Sequence, residues 1–356
     1  MIKKTELALE YSAIERSIDQ AIDFLWFNQL PDGEFKVYIT AETDLEKTSF
    51  FDSCTFGTAL ILYNLSFRET SKIEAMREKA LNFLKINMDQ PGLWRYFSTK
   101  TKFRQTCPPD VDDTGCVAFV FKKYKITLNN KDIILANRNQ DGLFYTWIVP
   151  RFSMLFTQTR FFFNSLLSIP SYSRFWRLSE CRPNDLDCGI NANVVLYLGE
   201  IEETKRVIAY LIDVILKGKE TESDKWYLSS FPHYYFLSRA YFNGVKGLEV
   251  LKEKIILNLE QKFEQEGDKN PLDTALAVCT FLNFGQITPT LQKIIGFLLA
   301  KQGNDGSWAS SPFYFIGPTR RKSFGSLELT TGVCIEALVR YQQAIYSSNI
   351  SQSNDQ

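Results

Sequence analysis

Six times along this chain an amphipathic helical segment, a turn and a more uniformly apolar helical segment follow one another. The first unit has Ile14, Ile18, Ala21, Ile22, Leu25 and Trp26 at helical spacing, the turn Gln29 to Phe35, and an apolar helix from about Phe51 to Leu65. The second has Ile73 to Leu84, the turn Gln90-Pro91-Gly92-Leu93-Trp94, and a helix opened at Asp110. The third has Ile133 to Leu135, the turn Gln140-Asp141-Gly142-Leu143-Phe144, and a helix from near Asp187. The fourth runs Val207 to Leu216, Trp226, then His233 to Phe242. The fifth runs Leu248 to Phe263, Gly267, then a helix opened by Pro271-Leu272-Asp273. The sixth has Leu291 to Ala300, the turn Gln302 to Trp308, and a helix from about Ser326 to Ala344. One such hairpin cannot bury its own apolar face, so neighbours must stack. An open solenoid requires polar capping repeats. None is evident, and strand signals are sparse. The pattern therefore predicts an all-α fold, an (α/α)6 barrel with the apolar helices inside. Residues 1–346 form one domain, and the polar tail 347–356 is expected to be disordered.

Composition narrows the function. Aromatics make up 14% of the chain, with 29 Phe and 16 Tyr, more rings than core building needs. Lys+Arg and Asp+Glu balance at 41 each, so no net field attracts nucleic acid. The seven cysteines form no CxxC pair, which points to reduced thiols in a cytosolic protein. No apolar h-region follows the first residues, and no run approaches the roughly 18–20 apolar residues of a membrane span.

The chemistry concentrates at Pro108-Pro109-Asp110-Val111-Asp112-Asp113-Thr114. The prolines force extended backbone. The aspartates then read as the cap and first turn of the second inner helix. A second anomaly is the segment 144–177, where Trp147, Phe152, Phe156, Phe161, Phe162, Phe163, Phe175 and Trp176 are interleaved with Arg151, Arg160, Arg174 and Arg177. It reads either as amphipathic helix packed on the barrel or as the entrance for an apolar substrate, with arginines for a polar head or a membrane surface.

Taken together, these motifs resemble a known family. The Gln302–Trp308 turn is similar to the QW repeat of squalene–hopene and oxidosqualene cyclases, with degenerate copies at Gln29, Gln90 and Gln140. Asp110-Val111-Asp112-Asp113 resembles the DxDD motif of class II terpene cyclases. The likeness spans most of the chain but only one barrel, as in the single-domain cyclases of meroterpenoid pathways.

The resemblance implies that Asp112 protonates a terminal alkene and that the carbocation then cyclises. Asp110 and Asp113 place negative charge within one turn of Asp112, and with burial they favour its protonated form. The helix N-terminus favours the anion left behind. By alignment with the same family, Asn193 occupies the position that donates to the acid, and Trp147 a cation-stabilising position. Aromatics at the loop-side ends of inner helices are candidate substrate contacts: Phe231, Tyr234, Tyr235, Phe313 and Phe324. Trp226 and Trp308 read as structural staples of the QW type, and His233 as a wall residue.

No DDxxD or NSE-type triad is present, so metal-assisted loss of diphosphate is not expected. No cofactor is implied, with Mg²⁺ relevant only to a diphosphate substrate. The expected partner is a hydrophobic prenylated small molecule, with a prenylated aromatic acid ahead of a prenyl diphosphate. Beyond this, the reading allows peripheral membrane contact and a monomer or homodimer. A non-catalytic isoprenoid-binding barrel and an (α/α)6 glycoside hydrolase are the rival readings. A hydrolase needs a second carboxylate across a polar cleft, and the Phe-rich wall argues against sugars.

Overall fold

A computed structural model describes residues 2–41, 45, 48–227, 229–266, 269–316, 319 and 321–354. The outer helices are α1 (Ile2–Asn28), α3 (Ser71–Ile86), α5 (Lys131–Ala136), α10 (Lys205–Leu216), α12 (Lys252–Glu266) and α14 (Pro289–Lys301). The inner helices are α2 (Thr55–Leu65), α4 (Val111–Lys123), α9 (Cys188–Leu198), α11 (Ser230–Phe242), α13 (Pro271–Asn283) and α15 (Leu327–Asn354). Each inner helix packs on the next, and α15 packs on α2, so the ring closes. All of α2 is buried, and so is nearly all of α13. A helix apolar on every side must lie inside.

The turns explain the closure. Gln29 Nε2 donates to Gly33 O at 3.0 Å and to Met76 O of α3 at 2.9 Å. Gln302 Nε2 repeats this with Gly306 O at 2.9 Å and Ser17 O of α1 at 2.8 Å. The glycines have no substitute here. Gly306 has φ +87°, and a Cβ on it would lie 2.3 Å from Gln20 O. Thus the sixth turn docks on the first helix. Trp308 Nε1 donates to Leu298 O at 2.7 Å and Trp94 Nε1 to Leu84 O at 2.8 Å, pinning each turn to its own outer helix.

Three local expectations change. Phe51 belongs to a strand rather than a helix. β1 (Tyr38–Thr40), β2 (Ser49–Phe51), β3 (Tyr314–Phe315) and β4 (Ser323–Gly325) form an antiparallel sheet in the order β2-β1-β4-β3. Strands of two or three residues are too short to show a period in sequence. The aromatic segment breaks into α6 (Met154–Thr157), α7 (Thr159–Leu166) and α8 (Ile169–Leu178). Finally, α15 runs to Asn354, past Ser347 where a disordered tail is expected. Extending a helix already nucleated in the core costs little. Among the described residues no helix is long and apolar enough to cross a membrane.

Candidate active site

Main-chain bonds set the acid in place before any side chain acts. Val111 N donates to Thr146 O at 2.9 Å, and Ile148 N to Pro109 O at 2.8 Å. The loop carrying Trp147 is thereby laid along the start of α4. Asp110 is the N-cap, its Oδ1 accepting from Asp113 N at 2.7 Å. Asp113 in turn accepts from Thr55 Oγ1 of α2 at 2.8 Å.

Asp112 differs from both. Asn193 Nδ2, on α9, donates to its Oδ1 at 2.7 Å, and the Tyr227 hydroxyl to its Oδ2 at 3.2 Å. Asp110 and Asp113 are buried, whereas Asp112 keeps part of its surface. That surface faces an internal cavity, so the carboxyl is still removed from bulk water. Burial is the main force raising the Asp112 carboxyl to about 7. The Asn193 bond opposes this, Asp113 and Asp224 add to it, and the Tyr227 bond opposes it. Burial also lifts Asp113 to about 6, against its bonds to Thr55 and Asp110. Asp110 is held well above the usual carboxylate range, first by burial, then by Asp113 and Asp112. A neutral acid at Asp112 is therefore substantially populated at neutral pH.

The Asn193 amide is itself oriented. Arg239 Nη2, on α11, donates to Asn193 Oδ1 at 2.6 Å. A guanidinium only donates, so the amide must turn its carbonyl to Arg239 and its NH₂ to Asp112. Arg239 is buried, with Tyr63, Tyr235 and Phe236 ring centroids 5.1, 5.1 and 5.3 Å from its Cζ.

The cavity measures about 130 Å³. Its wall is almost wholly apolar, built from Phe56, Phe97, Trp147, Phe175, Trp226 and Phe324 among others. Of the predicted substrate contacts, Trp147 and Phe324 line it. Phe313 stands behind the wall, packed on Phe56, Tyr227 and Phe236. Tyr235 donates to Glu336 at 2.7 Å, inside the barrel. Phe231 packs on Phe263 of α12, and Tyr234 bonds Glu220 at 2.8 Å and Asn258 at 2.9 Å. These two face the outer layer. Residues three apart share one helix face, and here that face points outward.

Trp226 is also placed differently from the expected staple. Its Nε1 donates to Asp187 Oδ2 at 3.2 Å, and its ring meets Trp147 at 6.0 Å in the cavity wall. Sequence reasoning missed Tyr227, Tyr96, Tyr314 and Phe56. Tyr227 adjoins Trp226 in the fourth turn, the one signal that could have found it. His233 is buried on α11, its Nε2 3.5 Å from Asp224, and does not line the cavity. Among the described residues no cluster of His, Cys, Asp and Glu suits a metal.

No family model and no curated protein matches the sequence. Solved structures do. A protein from Actinoplanes superposes with a TM-score of 0.68 at 15% identity, covering 93% of this chain and 99% of that one. The type II terpene cyclase MstE from Scytonema gives 0.67 at 15% identity, covering 94% and 99%. A substituted form of MstE in complex with geranylgeranyl dihydroxybenzoate, its substrate, gives 0.66 at 14% identity, covering 95% and 99%. The ring of six hairpins around the Asp112 cavity is thus the fold that the type II terpene cyclase MstE also adopts.

Proposed function

We propose that this protein is a class II terpene cyclase acting on a prenylated aromatic acid. The observation that carries this reading is Asp112 itself: a carboxyl raised to about 7, hydrogen-bonded on both oxygens, opening into an aromatic, nearly apolar cavity. Protonating an alkene requires a strong donor, a stabilised conjugate base and no competing water. Desolvation keeps the proton on Asp112, and the Asn193 and Tyr227 donors stabilise the carboxylate once the proton leaves. The cation that forms is faced by Trp147, Trp226 and Phe324, whose ring faces attract positive charge. Cyclisation then proceeds without redox change, an isomerisation of the prenyl chain. MstE, of like fold, has been crystallised with geranylgeranyl dihydroxybenzoate, which favours an aromatic acid head group here.

The substrate is membrane-soluble, and the surface of α6–α8 suits its delivery. Phe152, Phe156, Leu167 and Leu178 are each at least 75% exposed. Arg160, Arg174 and Arg177 lie exposed beside them. Exposed rings with interleaved cations fit an anionic bilayer surface.

The test is a metal-free incubation with geranylgeranyl and farnesyl dihydroxybenzoate and the two corresponding diphosphates. The expected product has the mass of the substrate and a new retention time. Asp112→Asn should stay folded and convert none of them. Turnover by that variant defeats Asp112 as the acid, and none by the wild type defeats the reading and leaves the binding-barrel alternative.

A further inference from the structure

Proton-started cyclisation ends only when the last cation loses a proton or takes up water. Asp112 starts the reaction, but a second group must end it. Most polar side chains in the cavity wall are already committed. The Thr146 hydroxyl donates to Asp187 at 2.6 Å and the Tyr227 hydroxyl to Asp112. Tyr96 and Tyr314, which also line the cavity, lead elsewhere.

The Tyr96 hydroxyl donates to Asp52 Oδ2 at 2.9 Å and lies 3.1 Å from the Tyr314 hydroxyl. An ionised carboxylate only accepts. The Tyr96 proton therefore points at Asp52, and Tyr314 must donate to Tyr96. The chain of donors runs one way, from Tyr314 to Tyr96 to Asp52, and leaves lone-pair capacity on Tyr314. The Cys54 thiol, 3.9 Å from that hydroxyl, is a weak donor. Asp52 is fixed just beyond β2, its N–H donating to Val37 O at 2.9 Å. It is half-buried, and the exposed Lys322 acts on it electrostatically, so this end of the chain reaches the solvent side. Burial holds the Asp52 carboxyl above its ordinary value, against the Tyr96 bond and Lys322, which makes it the better proton acceptor.

We propose that Tyr314, Tyr96 and Asp52 form the proton exit that ends cyclisation. A C–H bond beside the final cationic carbon breaks, and its electron pair becomes the new C=C bond. That proton goes to the Tyr314 oxygen, the Tyr314 proton to Tyr96, and the Tyr96 proton to the Asp52 carboxylate. Asp52 releases it to solvent, and Asp112 regains one from solvent. No oxidant or reductant is consumed, and the product is an alkene rather than an alcohol.

This inference rests on Asp112 being the acid, and the test separates the two. Asp52→Asn preserves an acceptor for Tyr96 but removes the base. Tyr96→Phe and Tyr314→Phe cut the chain. With whichever of the four substrates the wild type consumes, each variant should still start cyclisation, slowed about threefold to tenfold. The ratio of wild-type alkene to hydrated product (18 mass units heavier) or isomeric alkenes should fall by about tenfold or more. A purely structural role lowers the rate without moving that ratio. An unchanged product ratio in Asp52→Asn overturns the proposal even if Asp112→Asn is inactive. So does a Tyr227→Phe variant that alone diverts the product, since the proton would then return through Asp112. Asp52→Asn is the deciding variant because its half-buried position tolerates the isostere should a tyrosine replacement fail to fold.

Discussion

At the scale of single residues, the sequence carried the acid and Asn193 beside it, but not Tyr227 or Arg239. The DxDD cluster was legible because three aspartates after two prolines have no simpler explanation than a cap, and capping needs only one. Asn193 was found by alignment alone, and the structure puts it 2.7 Å from Asp112. Arg239 and Tyr227 were not legible, because nothing local distinguishes an arginine that will be buried. Loss of a hydrogen bond to a charged group costs about 1.5–3 kcal/mol. Asn193→Ala should therefore slow turnover roughly 10–100-fold in single-turnover assays. If Arg239 acts through that amide, Arg239→Gln combined with Asn193→Ala should cost no more than Asn193→Ala alone; additive losses would show an independent role.

The pH dependence follows from the same carboxyl. Asp112 donates only while protonated, so kcat should fall as pH rises through about 7. Stability has the same sign. The folded-state value near 7 lies above the ordinary aspartate value of 3.8, so between them the fold holds a proton that the unfolded chain releases. Stability from this group is full below about 4 and declines as pH rises to about 7. Asp112→Asn is neutral throughout, so it should raise the Tm more at pH 8 than at pH 5. Equal shifts at both would contradict the burial argument.

At the scale of elements, helices and turns divide the labour. The inner helices were legible from unbroken apolar runs, whereas the four strands were not, being two or three residues long. Faces were harder than helices. Assigning Phe231 and Tyr234 to the cavity required knowing the rotation of α11, and one residue of helix phase is 100°. The glutamine turns make a sharper prediction. Gly306→Ala forces a Cβ to within 2.3 Å of Gln20 O and a side chain into φ +87°. It should lower the Tm by several degrees, more than Gly296→Ala, where nothing lies within 4 Å. A calorimetric scan of the two variants decides it. For α6–α8, replacing Phe152, Phe156 and Leu167 with Ser should abolish co-sedimentation with anionic vesicles. Activity on detergent-dispersed substrate should persist.

At the scale of the whole molecule, the barrel encloses a small cavity. A buried water needs roughly 10–15 Å³, and the cavity offers about 130 Å³. There is room for about ten water-sized groups, fewer than the carbons of a geranylgeranyl chain, so the cavity wall must give way when such a substrate enters. The α6–α8 segment covers the cavity through Phe175, which meets Trp147 at 5.1 Å. Hydrogen exchange across residues 152–179 should slow when substrate binds.

Ring closure has one more consequence. Gln302 and Gly306 join the sixth turn to α1, α1 packs on α15, and Tyr11 meets Tyr346 at 6.5 Å. The architecture is thus cyclic while the polypeptide is linear, and the order in which the hairpins are written is not dictated by the packing. A circular permutant with its old ends joined by a flexible linker and new ends opened at the exposed Lys217-Gly218-Lys219 turn should reach the same fold.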